Sequence, residues 1–256
     1  MHHRSARLAV VLLGMVVLAG PTVADADAAS PGAGAGSSGA FIRASGNQSV
    51  NWSGYAEPGS FASIGGSWTV PAVAATAGAT TYASTWIGID GFANRDLIQT
   101  GTESDVIGGV VHYDAWWEIL PAAERAIRRF TVQPGDHMTA SIVHTAGARW
   151  TITLTDTTSG ASFGVTRHYK GPGASAEWIQ ERPQVGRTLA TLSAYGSTVF
   201  TGLSANGTAP GLVAADALAM VTAVGGPVIS TPSPLSRSGT SFAVAYGAAV
   251  PATPAG

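Results

Sequence analysis

Residues 175–183 read SAEWIQERP and place two carboxylates four positions apart in a chain of which only 11% is charged. If this stretch is a β-strand, alternation puts Glu177, Ile179 and Glu181 on one face and Trp178 on the other. Two acids on one partly dry face repel each other, so the pKa of at least one should be raised. Such a carboxyl group suits general acid–base chemistry; the alternative interpretation is two solvated acids on an exposed strand.

The composition favours short strands joined by tight turns. The 256 residues include 33 Gly and 14 Pro but a single lysine, Lys170, and the formal net charge is −2 without a basic or acidic block. Nucleic acid is therefore not expected as a partner, because phosphate binding requires clustered Lys and Arg. The sequence contains no Cys, which excludes a thiol nucleophile, a Cys-ligated zinc and any disulfide.

Four segments are predicted along the chain. Residues 1–29 combine a basic start, an apolar run from Leu8 to Ala19 and small residues at cleavage positions, which is typical of a secretory signal peptide. Residues 30–48 are predicted to be a flexible Gly/Ala/Ser-rich leader, residues 49–251 the folded domain, and residues 252–256 a disordered tail. We therefore expect a secreted, extracellular monomer that has no membrane contact after signal removal.

The predicted domain reads as a succession of strands separated by Gly, Pro, Asn and Asp. No segment shows a sustained 3.6-residue apolar stripe, although the alanines of residues 209–223 would also suit a helix. About thirteen strands are predicted, at 51–55, 63–70, 83–89, 97–100, 106–120, 130–132, 137–144, 149–156, 161–170, 176–180, 189–200, 217–221 and 241–246. Because no helices separate them, they should form two packed antiparallel sheets, as in an all-β sandwich or jelly roll.

A second unusual strand is predicted within residues 111–120, which read VHYDAWWEIL. One face would carry Asp114, Trp116 and Glu118 together with His112, and the other face an ordinary apolar core set. Acids with an aromatic side chain between them are typical of a groove that binds a polar chain such as a peptide or a sugar. The alternative is an outward sheet face that happens to carry these residues.

Two further stretches carry candidate binding groups. In residues 85–91, TWIGIDG, the side chains of Trp86 and Asp90 flank Gly88 on one face, and a Gly beside a Trp leaves room for a ligand backbone. The same residues could simply end a strand in an Asp-Gly turn. In residues 97–101, LIQTG, Gln99 is either a satisfied structural amide or a donor to an oxygen that becomes negative during a reaction.

Other chemistries are poorly supported by the sequence. Residues 238–241 read SGTS, similar to the nucleophile segment of subtilisin-type proteases, but no His-Gly-Thr signature accompanies it and an alternating strand pattern follows. Four histidines remain outside the predicted signal peptide, and none has His-Glu-x-x-His spacing. We therefore expect neither a metal nor a cofactor.

Six motifs in order resemble those of the glutamic peptidases, the eqolisin family. They are NWSGY at 51–55, WTVP at 68–71, WIGIDG at 86–91, LIQTG at 97–101, YDAWWE at 113–118 and AEWIQE at 176–181. Each motif is weak alone, but the resemblance covers residues 51–246, essentially the whole predicted domain. It implies a concanavalin A-like sandwich of two curved antiparallel sheets with the active site on the concave side.

The resemblance also implies a catalytic dyad of one Gln and one Glu. By motif position these are Gln99 and Glu177, with Glu181 in a supporting role. Glu181 stands at the predicted strand end, where water or Arg182 could satisfy it, whereas Glu177 lies further inside the strand. The choice between the two acids as the base stays open at this point. The residues that match the lining of the family's cleft are Trp86, Asp90, Asp114, Trp116 and Glu118.

The function that the resemblance implies is a secreted acid endopeptidase, which hydrolyses protein or peptide substrates by activating water without a covalent intermediate. Fungal members carry Cys and a long pro-segment, and strongly acid-adapted members carry more carboxylates, so this chain departs from them. Concanavalin A-like folds also host glycosidases and lectins. One alternative is therefore a glycan-active sandwich that uses Asp114 with Glu118, or Glu177 with Glu181. Another is an inactive family member that only binds peptide.

Overall fold

A computed structural model describes residues 39–255, and nearly all of its regular structure is β-strand. The predicted signal peptide and residues 30–38 of the predicted leader lie outside the described residues, as does Gly256. Within the described part of the chain, no helix is long and apolar enough to cross a membrane.

The described residues form seventeen strands and a single 3₁₀ turn, Ala214–Asp216. In chain order the strands are β1 (Gln48–Ser49), β2 (Trp52–Pro58), β3 (Ser63–Thr69), β4 (Ser84–Ile89), β5 (Ile98–Ile107), β6 (Val110–Ile119), β7 (Arg125–Ala126), β8 (His137–Ala146), β9 (Arg149–Asp156), β10 (Ser162–His168), β11 (Ser175–Glu181), β12 (Gln184–Val185), β13 (Thr188–Leu189), β14 (Ser197–Ala205), β15 (Ala217–Val221), β16 (Val228–Pro232) and β17 (Phe242–Tyr246).

Fourteen of these strands pair side by side in one continuous series, which folds into two stacked sheets. Its order is β10-β9-β8-β3-β14-β17-β16-β15-β2-β11-β4-β5-β6-β7, while β12 and β13 form a separate ribbon and β1 pairs parallel to β15. Strand β15 joins the two halves, because it pairs with β16 on one edge and with β2 on the other. We call the half from β10 to β16 the outer sheet and the half from β2 to β7 the site sheet. The predicted all-β sandwich of antiparallel sheets is confirmed.

The main core lies between the two sheets and includes large aromatic side chains from both. Phe200 of β14 stacks on Phe242 of β17, with ring centroids 5.0 Å apart. Two buried Trp side chains also donate hydrogen bonds from one sheet to the other. The Nε1–H of Trp68 in the outer sheet donates to Thr102 of the site sheet at 3.0 Å, and that of Trp178 in the site sheet donates to the backbone oxygen of Gly65 at 2.9 Å. These bonds fix how one sheet lies over the other.

The solvent face of the outer sheet carries rows of hydroxyl groups. Ser67, Thr139, Thr155 and Ser162 stand opposite one another across β3, β8, β9 and β10. The hydroxyls of Ser67 and Thr139 are 2.9 Å apart, and those of Thr155 and Ser162 are 3.0 Å apart. Cross-strand pairs of this kind stabilise a sheet without any charge.

The structure corrects several predicted strand boundaries. The prediction of one strand over residues 106–120 is wrong, because β5 continues to Ile107 and returns as β6 after Gly108 and Gly109. These two glycines have φ of 60° and 87°, which is the left-handed conformation that a tight hairpin turn requires. The predicted strand at 130–132 does not form, and β16 was not predicted. In the ambiguous stretch 209–223, the helical option is limited to the 3₁₀ turn, and the predicted strand 217–221 is confirmed as β15.

The described part of the predicted leader, residues 39–48, lies against the domain. The ring of Phe41 is 5.7 Å from that of Trp52 and 4.8 Å from that of Phe92, and its backbone N–H donates to the oxygen of Gly91. Packing therefore begins about ten residues before the predicted boundary at residue 49, because Phe41 supplies apolar surface in an otherwise small-residue stretch. At the other end, residues 252–255 form no regular secondary structure.

Candidate active site

The face of the site sheet that points away from the main core carries nearly all of the predicted site residues. Strand pairing places them in cross-strand rows. The first, which we call the dyad row, runs across β2, β11, β4, β5 and β6 and consists of Ala56, Glu177, Gly88, Gln99 and Glu118. Side chains that stand opposite one another in neighbouring strands share one face, so the two predicted catalytic groups lie on the same side of the sheet.

Two further rows follow on the same face. The indole row consists of Gly54, Ile179, Trp86, Gly101 and Trp116, and the third row of Trp52, Glu181, Ser84, Glu103 and Asp114. The rings of Trp52 and Trp86 meet edge to face, with centroids 4.9 Å apart, in a small apolar cluster that is separate from the main core. The structure thus brings together Gln99, Glu177, Glu181, Trp86, Asp114, Trp116 and Glu118.

Gly88 separates Glu177 from Gln99 in the dyad row. Because Gly88 has no side chain, nothing from β4 projects between the carboxyl group and the carboxamide group. An added Cβ at this position would lie 2.8 Å from Cζ3 of Trp86 and 3.3 Å from Cβ of Gln99. A larger residue would therefore crowd both the indole and the amide, so glycine keeps the space between the two groups free.

Glu177 is fully buried, yet neither of its carboxyl oxygens has a well-formed hydrogen bond in residues 39–255. Burial raises its pKa well above the ordinary value, the nearby Ser175 hydroxyl lowers the pKa, and the charge of Asp90 raises it. Buried polar groups are normally paired, and an unpaired carboxyl with a shifted pKa is typical of a functional group.

Glu181 is equally buried but well supplied with partners. Its Oε2 accepts a hydrogen bond from the Trp86 indole at 2.8 Å, and its Oε1 accepts from the backbone N–H of Gly39 at 3.1 Å and from the Asn51 amide at 3.4 Å. Burial raises the pKa of Glu181 to about 8, although the first two of these bonds lower it.

The idea that Arg182 satisfies Glu181 is wrong. The Arg182 guanidinium instead donates to the backbone oxygen of Val50, at 3.1 and 2.6 Å, and to that of Thr222 at 3.2 Å. Both carboxyl oxygens of Glu181 therefore accept hydrogen bonds, from Gly39, Asn51 and Trp86. Within the described residues, neither oxygen of Glu177 accepts a well-formed one. This contrast favours Glu177 as the reactive acid.

Gln99 is held on one side only. Its Nε2 donates to Oε2 of Glu118 at 2.7 Å, while its Oε1 has no partner within the described residues. Burial raises the pKa of Glu118 to about 8, and donation from Gln99 and from the backbone N–H of Glu124 lowers it. The amide is thus anchored, and its oxygen and second N–H are left to interact with another group.

Three acids of this region were missed by the sequence interpretation. Glu103 in the third row is 2% exposed, and its pKa is raised well above the ordinary value, first by burial and then by the charge of Glu124. The pKa of Glu124 is raised in turn by burial and by Glu118, and burial raises that of Asp105 to about 8. Extending the alternation from Gln99 by four and six residues would have found Glu103 and Asp105. Among the described residues, no group of His, Asp and Glu is arranged to hold a metal ion.

Asp90 has a different environment from the other predicted site residues. It is fully buried with φ of 71°, and its Oδ2 accepts from Tyr169 at 2.6 Å and from the backbone of Gly173 at 2.8 Å. Its Oδ1 accepts from the backbone of Ala174 at 2.7 Å and from Asn94 at 2.8 Å. A role in substrate binding stays a prediction, while these four bonds show that the carboxylate ties the segment before β11 to the end of β4.

We expect Asp90→Asn to lower the free energy of unfolding by about 2–4 kcal/mol, because an amide replaces an acceptor-only carboxylate that faces four donors. Urea denaturation at pH 6 measures the change. Asp96→Asn, at an exposed position six residues along the chain, is the matched control and should change stability by less than about 0.5 kcal/mol. Equal stability of the two variants would contradict the anchoring role.

Comparison with known proteins places these rows inside a matched region. The sequence pattern of the Peptidase A4 family matches residues 50–246. Aspergillopepsin-2 of Aspergillus niger is 29% identical to this chain in an alignment of 224 residues that covers 77% of this chain and 78% of that protein.

Solved structures show the same fold. Scytalido-glutamic peptidase with a transition-state analogue inhibitor superposes with a TM-score of 0.63 at 21% identity, over 77% of this chain and 98% of that one. Aspergilloglutamic peptidase from Aspergillus niger superposes with a TM-score of 0.55 at 28% identity, over 65% of this chain and 99% of that one.

Proposed function

Because the chain belongs to the Peptidase A4 family, the eqolisin glutamic peptidases, we propose that it is a secreted endopeptidase that cleaves protein substrates through Glu177 and Gln99. The observation that carries the dyad assignment is the dyad row. Within residues 39–255, it places a buried carboxyl without a well-formed hydrogen bond and a carboxamide whose oxygen has no partner on either side of Gly88. The apolar segment near the N-terminus supports secretion.

In the proposed mechanism a water molecule lies between the two groups of the dyad. Ionised Glu177 takes a proton from this water, and the water oxygen attacks the scissile carbonyl carbon. The free oxygen of Gln99 helps to hold the water, and its second N–H donates to the tetrahedral oxyanion. Protonated Glu177 then passes its proton to the leaving amine, so no bond between enzyme and substrate is formed.

The carboxyl groups around the dyad make this chemistry favour acidic pH. Burial raises the pKa values of Glu118 and Glu181 to about 8, so both are protonated and uncharged in acid. As pH rises through those values, each adds a negative charge beside the developing oxyanion and repels it. Burial also raises the pKa of Glu177, so the base is ionised in only part of the molecules in acid. Because turnover needs ionised Glu177 together with uncharged neighbours, we propose a bell-shaped pH profile, with cleavage in acid and loss of activity towards pH 8.

The alternative of a glycosidase is less well supported by the partners of the acids. A catalytic carboxyl pair would have to be formed by Glu177 with Glu181 or by Asp114 with Glu118. The carboxyl of Glu181 instead accepts hydrogen bonds from Trp86, Gly39 and Asn51, and that of Glu118 accepts from Gln99. The sequence also contains no Glu-x-Asp-x-Glu signature, and a glycosidase would give Gln99 no role.

The direct test is hydrolysis of casein and of β-glucan by the secreted protein between pH 3 and pH 8. We expect casein to be cleaved in acid, β-glucan to remain intact, and pepstatin to have no effect, because pepstatin recognises a paired-Asp site that the dyad lacks. Cleavage of β-glucan alone would support the glycan-active alternative. If neither substrate changes after long incubation, the chain is an inactive family member.

A further inference from the structure

We propose that Glu118 is a positioning residue, whose carboxyl group holds the Gln99 carboxamide in the one orientation that can donate to the oxyanion. This inference rests on the proposed function of the dyad. It gives Glu118, which stands beside Gln99 in the dyad row, a role in the catalytic steps in addition to its effect on the pH dependence.

The contact itself is direct and enclosed. Gln99 and Glu118 stand opposite each other in the β5–β6 pair, and the Nε2–Oε2 distance is 2.7 Å. Gln99 is 0% and Glu118 is 1% exposed, so water does not compete strongly for either group. A short hydrogen bond in such surroundings restricts the last torsion angle of the glutamine side chain, which is otherwise broad and roughly two-fold.

The chemical surroundings of Glu118 decide which end of the amide faces it. The two ends of a carboxamide are nearly the same in shape but opposite in function, because Nε2 only donates and Oε1 only accepts. The Oε2 of Glu118 accepts from Gln99, and the backbone N–H of Glu124 also acts on the carboxyl, so Glu118 presents an acceptor oxygen to Gln99 even when the carboxyl is protonated. Without it, the Gln99 amide could turn by half a rotation and present its oxygen where the oxyanion forms.

Loss of this anchor should reduce the catalytic rate more than substrate binding. Removing a single oxyanion donor costs roughly 100- to 1,000-fold in rate, and a donor that is only misplaced should cost somewhat less. For Glu118→Leu, which keeps the side-chain volume but removes the acceptor, we expect kcat to fall about 30- to 100-fold while KM changes less than about threefold. Glu118→Gln should stay within about fivefold of the wild type, because its amide oxygen can accept the same hydrogen bond.

The experiment compares both variants with Glu57→Gln, a matched control in β2 whose carboxyl binds the backbone N–H of Gly211 instead. Casein-derived peptide hydrolysis in acid gives kcat and KM. The side-chain ¹⁵N–¹H resonances of Gln99, identified by their loss in Gln99→Ala, report the hydrogen bond without any turnover. They should move in Glu118→Leu and remain in place in Glu57→Gln.

The two proposals fail in different ways. If the wild type cleaves peptide and Glu118→Leu keeps kcat within about threefold, or changes KM alone, the positioning role is overturned and the dyad stands. The same conclusion follows if the Gln99 resonances do not move or if Glu118→Gln is as slow as Glu118→Leu. A wild-type protein that cleaves no peptide overturns the proposed function, whatever the resonances show.

Discussion

Replacing Glu177 by Gln should lower the rate of casein hydrolysis at least about 1,000-fold while the fold remains intact. The amide has nearly the same size as the carboxyl group, but it can neither take a proton from water nor return one to the leaving amine. Its structural cost should be small, because neither oxygen of Glu177 forms a well-formed hydrogen bond in the described part of the chain. We therefore expect an unchanged or higher Tm together with near-complete loss of kcat.

The matched variant is Glu181→Gln, which changes the other acid of the same strand. Here the amide would face the indole N–H of Trp86 and the backbone N–H of Gly39, so one donor loses its acceptor and the Tm should fall. Its kcat should stay well above that of Glu177→Gln. The reverse pattern, with Glu181→Gln inactive and Glu177→Gln active, would move the base to position 181.

A second large effect is expected in the dependence of stability on pH. Burial raises the pKa values of Asp105, Glu118 and Glu181 to about 8, and raises those of Glu103, Glu124 and Glu177 well above their ordinary range. The folded state therefore keeps protons that the unfolded chain releases between about pH 4.5 and pH 8. Stability is fully present below that window and is lost as pH rises through it.

The loss of stability between pH 4 and pH 8 should be large compared with the total stability of a protein. A single group with a pKa near 8 when folded and near 4.5 when unfolded contributes on the order of 4 kcal/mol, although coupled groups do not add. Total stabilities are only about 5–15 kcal/mol, so we expect the Tm at pH 8 to be at least about 10 °C lower than at pH 4.

Scanning calorimetry from pH 4 to pH 8 measures this slope. The double variant Glu103→Gln with Glu124→Gln removes two of the six groups and should make the fall in Tm smaller. Asp96→Asn, at an exposed position, should leave the slope unchanged. A Tm that does not fall between pH 4 and pH 8 would show that the folded protein does not hold these acids in the protonated form.

The sequence predicts which side chains share one face of a strand, but not which strands lie beside it. Alternation in residues 175–181 places Glu177, Ile179 and Glu181 together, and the register of β11 bears this out, because side-chain direction in a strand is a local property. It could not show that Gly88 stands between Glu177 and Gln99, since that depends on which strands pair and in which register.

Two of the three missed acids, Glu103 and Asp105, are explained by one glycine. The sequence predicts that the strand ends before Gly101, which leaves both acids outside it. In the structure, Gly101 lies inside β5, and an added Cβ would come within 2.5 Å of the Cβ of Trp86. Glycine is needed there for close approach to the neighbouring strand, a requirement that only the tertiary structure reveals.

Asp90 also shows that a local sequence pattern does not reveal long-range hydrogen-bond partners. The sequence places Asp90 beside an Asp-Gly turn and allows either a turn or a binding role for it. Its partners Tyr169, Gly173 and Ala174 come from a segment about eighty residues away, and nothing local indicates them. Long-range hydrogen bonds to a buried carboxylate follow from the fold and cannot be found from strand periodicity.

The hydroxyl rows of the outer sheet give this part of the surface a charge that does not depend on pH. Serine and threonine neither gain nor lose protons at the pH values in which proteins are handled, so these rows carry no charge in strong acid or in neutral buffer. The charge of these rows is therefore the same at every pH in that range. Contacts that other molecules make with the hydroxyl rows should consequently depend little on pH.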